Sequence, residues 1–259
     1  MSKINIFSLG GLNENGKNMY VIEVDDSIFV FEAGLQYADE HTLGIDYFIP
    51  NIDYLKNNVN KIKGIFLTHG HDENVGAIVD IIELLDGVKI YGAKFTCNIV
   101  LQELITYKKN TDNLIEITEN DILDFGDVKV EAVSLSHSIP DNFGYAVHTV
   151  DGVIFYASDF VFDSTMRGAY KTNLGKLANI GSKNVLCLMA ESLYAMRKDH
   201  TSPNHQIQGL VNETITKYKG RIIFNVLNSH LYRIQELFNE VMKTDRKIVV
   251  MGKRLQNIV

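Results

Sequence analysis

Apolar positions in the first quarter of the chain alternate with polar ones over short runs, which predicts β-strands. Glycine and asparagine residues that favour turns separate the runs, as in GGLNENGKN. The runs are INIFSL at 4–9, NMYVIEV at 18–24, IFVFEA at 28–33 and KGIFLT at 63–68.

The apolar spacing then changes from strand-like to helical. Apolar residues recur every three or four positions between Val75 and Leu85, which predicts a helix that stops at Asp86 and Gly87. A strand, VKIYG, leads to a second predicted helix near 93–108. Three more β-rich runs follow: VKVEAVSL, FGYAVHTV and GVIFYAS. We therefore expect sheet layers flanked by helices.

A regular alternation of helix and strand patterns begins after about residue 195. GLVNETITKYK and LYRIQELFNEVMKT have helical spacing, whereas RIIFNV and KIVVMG are typical of strands. This order predicts a parallel βαβ unit. The pattern stops where the next helix is due, so we expect the chain to be the N-terminal part of a longer protein.

Composition and charge narrow the class of protein. With 259 residues, 46% hydrophobic and 22% charged, the chain can bury the core of one large or two smaller globular domains. No apolar run approaches the roughly 20 residues of a membrane-spanning helix, and no signal peptide precedes the first strand pattern. We expect a cytoplasmic protein without membrane association, in which Cys97 and Cys187 are buried thiols. The net charge of -7 argues against general nucleic-acid binding but leaves room for a local basic groove.

The segment THGHDENVGA, residues 68–77, contains candidate metal ligands. His69 and His71 lie two positions apart in a loop that leaves a strand, so both rings can reach one ion. Such a pair alone is weak support for a metal site, and further ligands are needed.

Two other residues of ligand type stand where predicted strands end. His137 follows VKVEAVSL, and Asp159 follows GVIFYAS. Together with His69 and His71 they would form a complete site of three histidines and one carboxylate. The other histidines have no partners at ligand spacing, and we interpret them as solvated or core residues: His41, His148, His200, His205 and His230.

With these residues the sequence resembles the metallo-β-lactamase superfamily, whose first signature is HxHxDH. More specifically, it resembles ribonuclease J, which carries an inserted β-CASP domain. The segments that carry the likeness are YADEHTLGIDYFIPNIDYL, THGH followed by VGA, SHSIPD, SDFVFD and GRIIF. The resemblance covers essentially the whole chain. It implies an α/β fold, with an αββα metallo-β-lactamase sandwich over 1–198 and the truncated start of a parallel α/β β-CASP domain over 199–259.

The resemblance also implies roles for individual residues. His69, His71, His137 and Asp159 match the ligands of the first metal ion, and Asp159 is the catalytic position that bridges to a second ion. Glu191, in MAES, matches an acidic position of β-CASP proteins.

The sequence departs from the family pattern at three positions. Glu73 and Asn74 occupy the catalytic positions that are aspartate and histidine in HxHxDH, and Glu32 replaces an early aspartate. Glutamate is one methylene longer than aspartate, and zinc binds an amide oxygen poorly. We therefore expect one zinc ion or none, with manganese as the alternative, and a weakened or lost second site.

The resemblance implies a role in RNA processing and decay, by 5′-to-3′ exonuclease and perhaps endonuclease action on rRNA and mRNA. The degraded motif leaves enzyme activity open. We expect a weakly active or inactive subunit that binds RNA and assembles with an intact paralogue, as a homo- or hetero-oligomer, in an RNA-degradation complex. Three alternatives stay open: an independent single-metal exonuclease, a metallo-hydrolase of small esters or thioesters, and a metal-free fold.

Overall fold

The computed structural model describes residues 1–198 and 207–258. The strands, in chain order, are β1 (Ile4–Gly10), β2 (Met19–Val24), β3 (Ser27–Phe31), β4 (Gln36–Tyr37), β5 (Tyr47–Phe48), β6 (Ile62–Phe66), β7 (Ile90–Gly92), β8 (Leu114–Glu116), β9 (Ile122–Asp124), β10 (Lys129–Ser134), β11 (Phe143–His148), β12 (Val153–Ala157) and β13 (Val185–Ala190). They form two large sheets and a small hairpin of β4 with β5.

The α-helices are α1 (Asp53–Lys56), α2 (Asp72–Val75), α3 (Ile78–Ile81), α4 (Lys94–Thr106), α5 (Leu174–Gly181), α6 (Gln208–Lys217), α7 (Leu231–Val241) and α8 (Lys253–Ile258). The helix predicted near 93–108 is confirmed by α4. Within the described ranges, none of the helices has the length and apolar character needed to cross a membrane.

The first large sheet has the order β1-β2-β3-β6-β7-β8. Its first three strands pair antiparallel, and β3, β6, β7 and β8 pair parallel. Because parallel strands end at the same edge, the loops after β3 and β6 meet at one edge of the sheet. The candidate residues that follow these strands are thereby brought together.

The second large sheet has the order β13-β12-β11-β10-β9. Its strands pair antiparallel except for β12 and β13, which are parallel. β13 is an edge strand, and Leu188 on it is 65% exposed. Among the described residues, β13 has a ladder with β12 alone.

The two sheets pack face to face through an aromatic core. Phe31, of the first sheet, lies 5.9 Å from Tyr145 and 5.1 Å from Tyr156, of the second, between ring centroids. Helices α1 to α4 cover the outer face of the first sheet, and α5 packs on the outer face of the second through Ile180. This confirms the αββα sandwich expected from the sequence.

The single helix predicted over 75–85 is wrong, because the chain forms α2 and α3 with a break between them. At the break, Ala77 N donates to Ala33 O over 2.8 Å instead of continuing the helix. The site of Gly76 is also crowded by Leu35, whose Cδ2 would lie 2.5 Å from an added Cβ. Contact with the end of β3 therefore overrides the helical pattern.

The predicted βαβ unit forms only in part. Its helices are present as α6 and α7, which share a small apolar core. The strands predicted over 221–226 and 247–252 are wrong, since neither segment enters a hydrogen-bonded ladder in the part of the chain that the structure describes. Exposure still alternates along 221–226, with Phe224 packed on the core of α6 and α7. An alternating segment becomes a strand only when a neighbour accepts its backbone hydrogen bonds.

Candidate metal centre

His69 and His71 stand in the loop between β6 and α2. His69 is completely buried, and His71 is partly buried. His69 Nε2 lies 3.0 Å from His71 Nδ1. Gly70 lets this loop lie against α4, because an added Cβ would be only 2.4 Å from Ile99 Cδ1. The two rings therefore face each other in a packed loop.

His137 reaches the same point from the loop after β10. Its Nε2 lies 3.4 Å from His71 Nδ1, and the ligand atoms of His69, His71 and His137 all lie within 4.8 Å of one another. A tetrahedral zinc ion with bonds of 2.0–2.1 Å places neighbouring ligand nitrogens about 3.3 Å apart. The three-histidine cluster therefore fits one such ion.

The surroundings keep two of these imidazoles neutral. Burial, with the nearby His137 and His71, holds the pKa of His69 well below its usual range. Burial lowers the pKa of His137 to about 4, although the carboxylate of Asp159 acts in the opposite direction. Neutral imidazole is the form that binds metal ions, so His69 and His137 have the protonation state of metal ligands.

The orientation of His71 depends on a residue distant in sequence. Its Nε2 lies 3.1 Å from the backbone oxygen of Ser229, which can only accept a hydrogen bond. The proton therefore sits on Nε2, and the lone pair of Nδ1 faces His69 and His137. Sequence reasoning missed Ser229, because no local pattern signals a backbone contact between residues 158 positions apart.

Asp159 lies beside the cluster. Its Oδ2 is 3.5 Å from His69 Nε2, and Ser158 Oγ donates to the same oxygen over 3.4 Å. The set of potential ligands that converge most closely contains the histidines but not this carboxylate. The assignment of Asp159 as a ligand stays a prediction.

Glu73 and Asn74 differ in their relation to the cluster. Glu73 Oε1 lies 3.7 Å from His71 Nδ1, on a side chain that is 43% exposed. Asn74 is completely buried, and its Nδ2 donates to Ser158 Oγ over 3.0 Å. Asn74 Oδ1 accepts no hydrogen bond from the described residues. Glu73 thus borders the histidines, whereas the amide of Asn74 is held by Ser158.

Glu191 follows β13 and meets Asp159. Glu191 is exposed as a residue, but its carboxyl end is partly covered where it hydrogen-bonds to Asp159. Burial and the nearby Asp159 raise the pKa of Glu191 to about 8. The two carboxyl groups can share a proton, as close carboxyl pairs do. Glu191 is therefore part of the neighbourhood of the site.

Glu32 is another carboxylate near the site. It is completely buried after β3, and burial raises its pKa to about 8 despite hydrogen bonds from Thr68 and Asn74. The sequence comparison singled out Glu32 only as a departure from a family pattern, without placing it in the site.

The other histidines divide into three cases. His41 is exposed, and His148 lies 2.6 Å from Glu131 on the second sheet, so both interpretations as non-ligands fit the structure. His230 is partly buried and near enough to lower the pKa of His137. His200 and His205 lie outside the described residues.

Two clefts open beside the cluster. The first has a volume of about 530 Å³ and is lined by loop 11–15, Glu73, Asp159 and Glu191. The second has a volume of about 870 Å³ and lies between His71, α4 and the segments 228–231 and 257–258. Glu73 lines both clefts, and His71 lines the second.

The fold and the histidine cluster agree with a family match. Residues 12–168 match the family described as the metallo-beta-lactamase superfamily, which is more than half of the chain. The chain therefore belongs to the metallo-β-lactamase superfamily. A metal ion is characteristic of that superfamily, and His69, His71 and His137 could bind one.

Similarity to curated proteins identifies a family within this superfamily. The chain is 35% identical over 257 residues to Ribonuclease J 2 of Staphylococcus aureus, and 35% identical over 255 residues to Ribonuclease J 2 of Staphylococcus saprophyticus. Each match covers 98% of this chain and 46% of the relative, so the chain spans about half the length of these relatives. Within the superfamily, the chain is a member of the ribonuclease J family.

A solved structure supports the fold alone. A protein of unknown function from Enterococcus faecalis V583 superposes with a TM-score of 0.64 at 18% sequence identity. The match covers 92% of this chain and 63% of the other chain. The architecture of nearly the whole chain therefore recurs in an experimental structure.

Proposed function

We propose that this chain belongs to a ribonuclease J-type protein of RNA processing and decay, with RNA as its substrate or ligand. The observation that carries the proposal is the convergence of His69, His71 and His137 in a chain similar to Ribonuclease J 2 over almost its whole length. Two clefts that meet at Glu73 support a linear polymer as the bound molecule. The whole protein would act in the cytoplasm.

The proposed cofactor is one zinc ion, with manganese as the alternative. Three imidazoles favour zinc, since manganese prefers carboxylate and water ligands. His69, His71 and His137 would hold the ion, with Asp159 next to it. When bound, such an ion polarises a phosphoryl oxygen and lowers the pKa of bound water.

In this proposal the chain has lost ligands of the second metal site that the family uses. Asn74 offers only an amide, and that amide donates to Ser158. Glu73 is close to His71 but partly open to solvent. A phosphodiesterase that works with two ions loses charge stabilisation when one is missing, and each tenfold in rate corresponds to about 1.4 kcal/mol. We infer a subunit of low exonuclease and endonuclease activity that assembles with an intact paralogue in an RNA-degradation complex.

The proposed domains are a metallo-β-lactamase domain over 1–198 and the start of a β-CASP domain over 199–259. The separate apolar core of α6 and α7, built around Val211 and Leu237, supports this division.

Metal analysis and a ribonuclease assay on the same preparation test the proposal. The double variant His69→Ala/His71→Ala is compared with His41→Ala, which removes an exposed histidine. The expected result is about one zinc per wild-type chain, retention of zinc in His41→Ala and loss from the double variant. Any RNA hydrolysis should disappear with the zinc. Wild-type chains without zinc or manganese would refute the metal part of the proposal, and hydrolysis that survives in the double variant would point to a contaminant.

An independently active single-metal exonuclease is the second candidate. The convergence of the three imidazoles favours it, because a single bound ion can still activate water. Restoring the family residues with Glu73→Asp/Asn74→His in the full-length protein separates the two candidates. Turnover equal to that of an intact paralogue before the restoration would contradict the low-activity subunit. A hydrolase of small esters is a further alternative, and a screen of such substrates without hits would close it.

A further inference from the structure

Glu32 stands in an unusual position for a carboxylate. It is completely buried, and its backbone φ of 66° lies in the left-handed region, which glutamate rarely adopts. The backbone on both sides is fixed, since Glu32 N donates to Phe66 O over 3.1 Å and Ala33 N to Asn74 O over 2.7 Å. Strained backbone that the surroundings hold in place is concentrated at functional sites. These bonds join the end of β3 to the loop that carries the histidines.

The carboxylate receives hydrogen bonds from donors on both oxygens. Thr68 Oγ1 lies 2.5 Å from Glu32 Oε1, and Thr68 N lies 3.3 Å from Oε2. Tyr156 OH also donates to Oε1, over 3.4 Å. When Glu32 is ionised, its Oε1 can only accept, so in that form the Thr68 hydroxyl is the donor of the bond between them.

The hydroxyl of Thr68 has a single proton, and its other neighbour is His69. Thr68 Oγ1 lies 2.8 Å from His69 Nδ1. If the hydroxyl donates to Glu32, its oxygen must accept the proton of His69 Nδ1–H. The lone pair of His69 is then on Nε2, the atom that lies 3.0 Å from His71 Nδ1 and faces the cluster.

We propose that Glu32 is a positioning residue that acts through Thr68 to hold the His69 ring in the tautomer with its free nitrogen directed into the three-histidine cluster. This rests on the proposed function, because it takes His69 as a metal ligand. Hydrogen bonds of this kind orient metal-binding histidines, and their loss typically weakens metal affinity 10- to 100-fold. A buried carboxylate that does not contact the ion therefore sets the orientation of one metal ligand.

Zinc affinity, measured by competition with a chelator, tests the proposal in four variants. Thr68→Val removes the hydroxyl at nearly constant shape, and Glu32→Gln supplies an amide that can donate to Thr68 and reverse the direction of the hydrogen bonds. Both should bind zinc about 10- to 100-fold more weakly than wild type. Thr68→Ser keeps the hydroxyl and should restore the affinity. Tyr156→Phe is the matched control, because it removes a donor to Glu32 without a contact to His69, and it should bind zinc as wild type does.

A second measurement keeps the proposal testable if a variant does not fold. Nitrogen-15 NMR of the metal-free wild-type chain above pH 8, where Glu32 is mainly ionised, reports which His69 nitrogen carries the proton. A proton on Nδ1 supports the proposal, and a proton on Nε2 overturns it. Thr68→Val that folds and binds zinc as tightly as wild type would overturn it as well. If wild type binds no zinc but His69 has the Nδ1–H tautomer, the proposed metal function fails while the role of Glu32 on the ring stands.

Discussion

Asn74 Nδ2 donates a hydrogen bond to Ser158 Oγ over 3.0 Å, and Ser158 Oγ donates in turn to Asp159. The residue at the position of a third motif histidine therefore supports a neighbouring loop. This relationship gives the departure from the family motif a physical role, because Asn74 links the loop after β6 to the loop after β12.

Asn74→Ala should lower stability without weakening zinc binding. The substitution removes a buried hydrogen bond and leaves Ser158 without its donor, and we expect a loss of about 1–3 kcal/mol in the free energy of unfolding. Zinc affinity should not change, because Asn74 is not a ligand in this interpretation and Glu32 keeps both of its hydrogen bonds from Thr68. Urea denaturation and chelator competition on one preparation measure both quantities. A large loss of zinc affinity in a folded Asn74→Ala chain would show that the amide helps to bind the ion.

His137→Ala should remove one ligand from the cluster. We expect zinc affinity to fall by at least about 100-fold, since binding by a complete ligand set amounts to about 10–16 kcal/mol. His41→Ala, at an exposed position, is the control and should bind zinc as wild type does. Binding should also weaken as the pH falls through about 4, because a protonated His137 is no longer a ligand. Calorimetric titration at neutral pH and at pH 4 measures both effects, and unchanged binding by His137→Ala would remove His137 from the site.

Glu131 should stabilise the second sheet in a pH-dependent manner. It lies 2.6 Å from His148 Nε2 and 3.3 Å from Lys176 Nζ. Burial opposes ionisation, but the hydrogen bond from His148 and the charge of Lys176 together leave the pKa of Glu131 below its usual value. A lowered pKa in the folded state means that the ionised carboxylate stabilises the fold above the unfolded-state pKa of about 4.3. That contribution is lost as the pH falls through the folded-state pKa.

Glu131→Gln should therefore cost about 1–3 kcal/mol of unfolding free energy at pH 7, with the difference from wild type shrinking below pH 4. Asp124→Asn is the matched control. Asp124 pairs with Lys129 over 3.0 Å on the surface, where an ion pair contributes little. Denaturation at pH 7 and pH 3 gives the comparison. Equal effects of the two substitutions at pH 7 would mean that the Glu131 pair behaves as a surface pair.

Cys97 should resist thiol reagents in the folded chain. It is buried in α4, its thiol donates to Gly92 O over 3.3 Å, and burial raises its pKa to about 12. At pH 8 the thiolate fraction is then about one part in 10,000. The variant Cys187→Ser isolates Cys97 as the remaining cysteine. We expect it to react with a disulfide reagent only after denaturant is added, and reaction at the rate of a free thiol without denaturant would contradict the burial.

Gly34→Ala should be severely destabilising. An added Cβ would lie 1.6 Å from the backbone oxygen of Glu73, so the loop with the candidate ligands would have to move. We expect a loss above about 4 kcal/mol, which is exceptional for a single substitution, or failure to fold. Gly181→Ala is the control, because no atom lies within 4 Å of the added Cβ in α5. Thermal unfolding of the two variants measures the contrast, and a mild effect of Gly34→Ala would show that the loop yields easily.

Local sequence patterns predicted most strands of the two sheets, although β8 and β9 were not predicted. His69, His71 and His137 could be found because each follows a strand, and strand ends at one sheet edge bring distant residues together. The break between α2 and α3 could not be predicted, because it depends on the contact of Ala77 with Ala33 across the loop.

Other features of the site also depend on contacts between distant residues. The bond of His71 to Ser229 and that of Thr68 to Glu32 join residues far apart in sequence. The strands predicted over 221–226 and 247–252 have suitable alternation, but the described residues supply no neighbouring strand. The local sequence pattern determines which element a segment can form. The element forms only when neighbouring segments make the required contacts with it.

The exposed side chains of β13 affect how this chain can be handled in solution. Its sequence, VLCLMA, contains no charge, and among the described residues no strand pairs with its outer edge, next to exposed Leu186 and Leu188. Such an edge is a template for further strand pairing between molecules. Self-association at high concentration would then affect the first cleft, which Met189 and Ala190 of β13 help to line, so dilute samples are the appropriate state for measuring the affinity of the isolated chain.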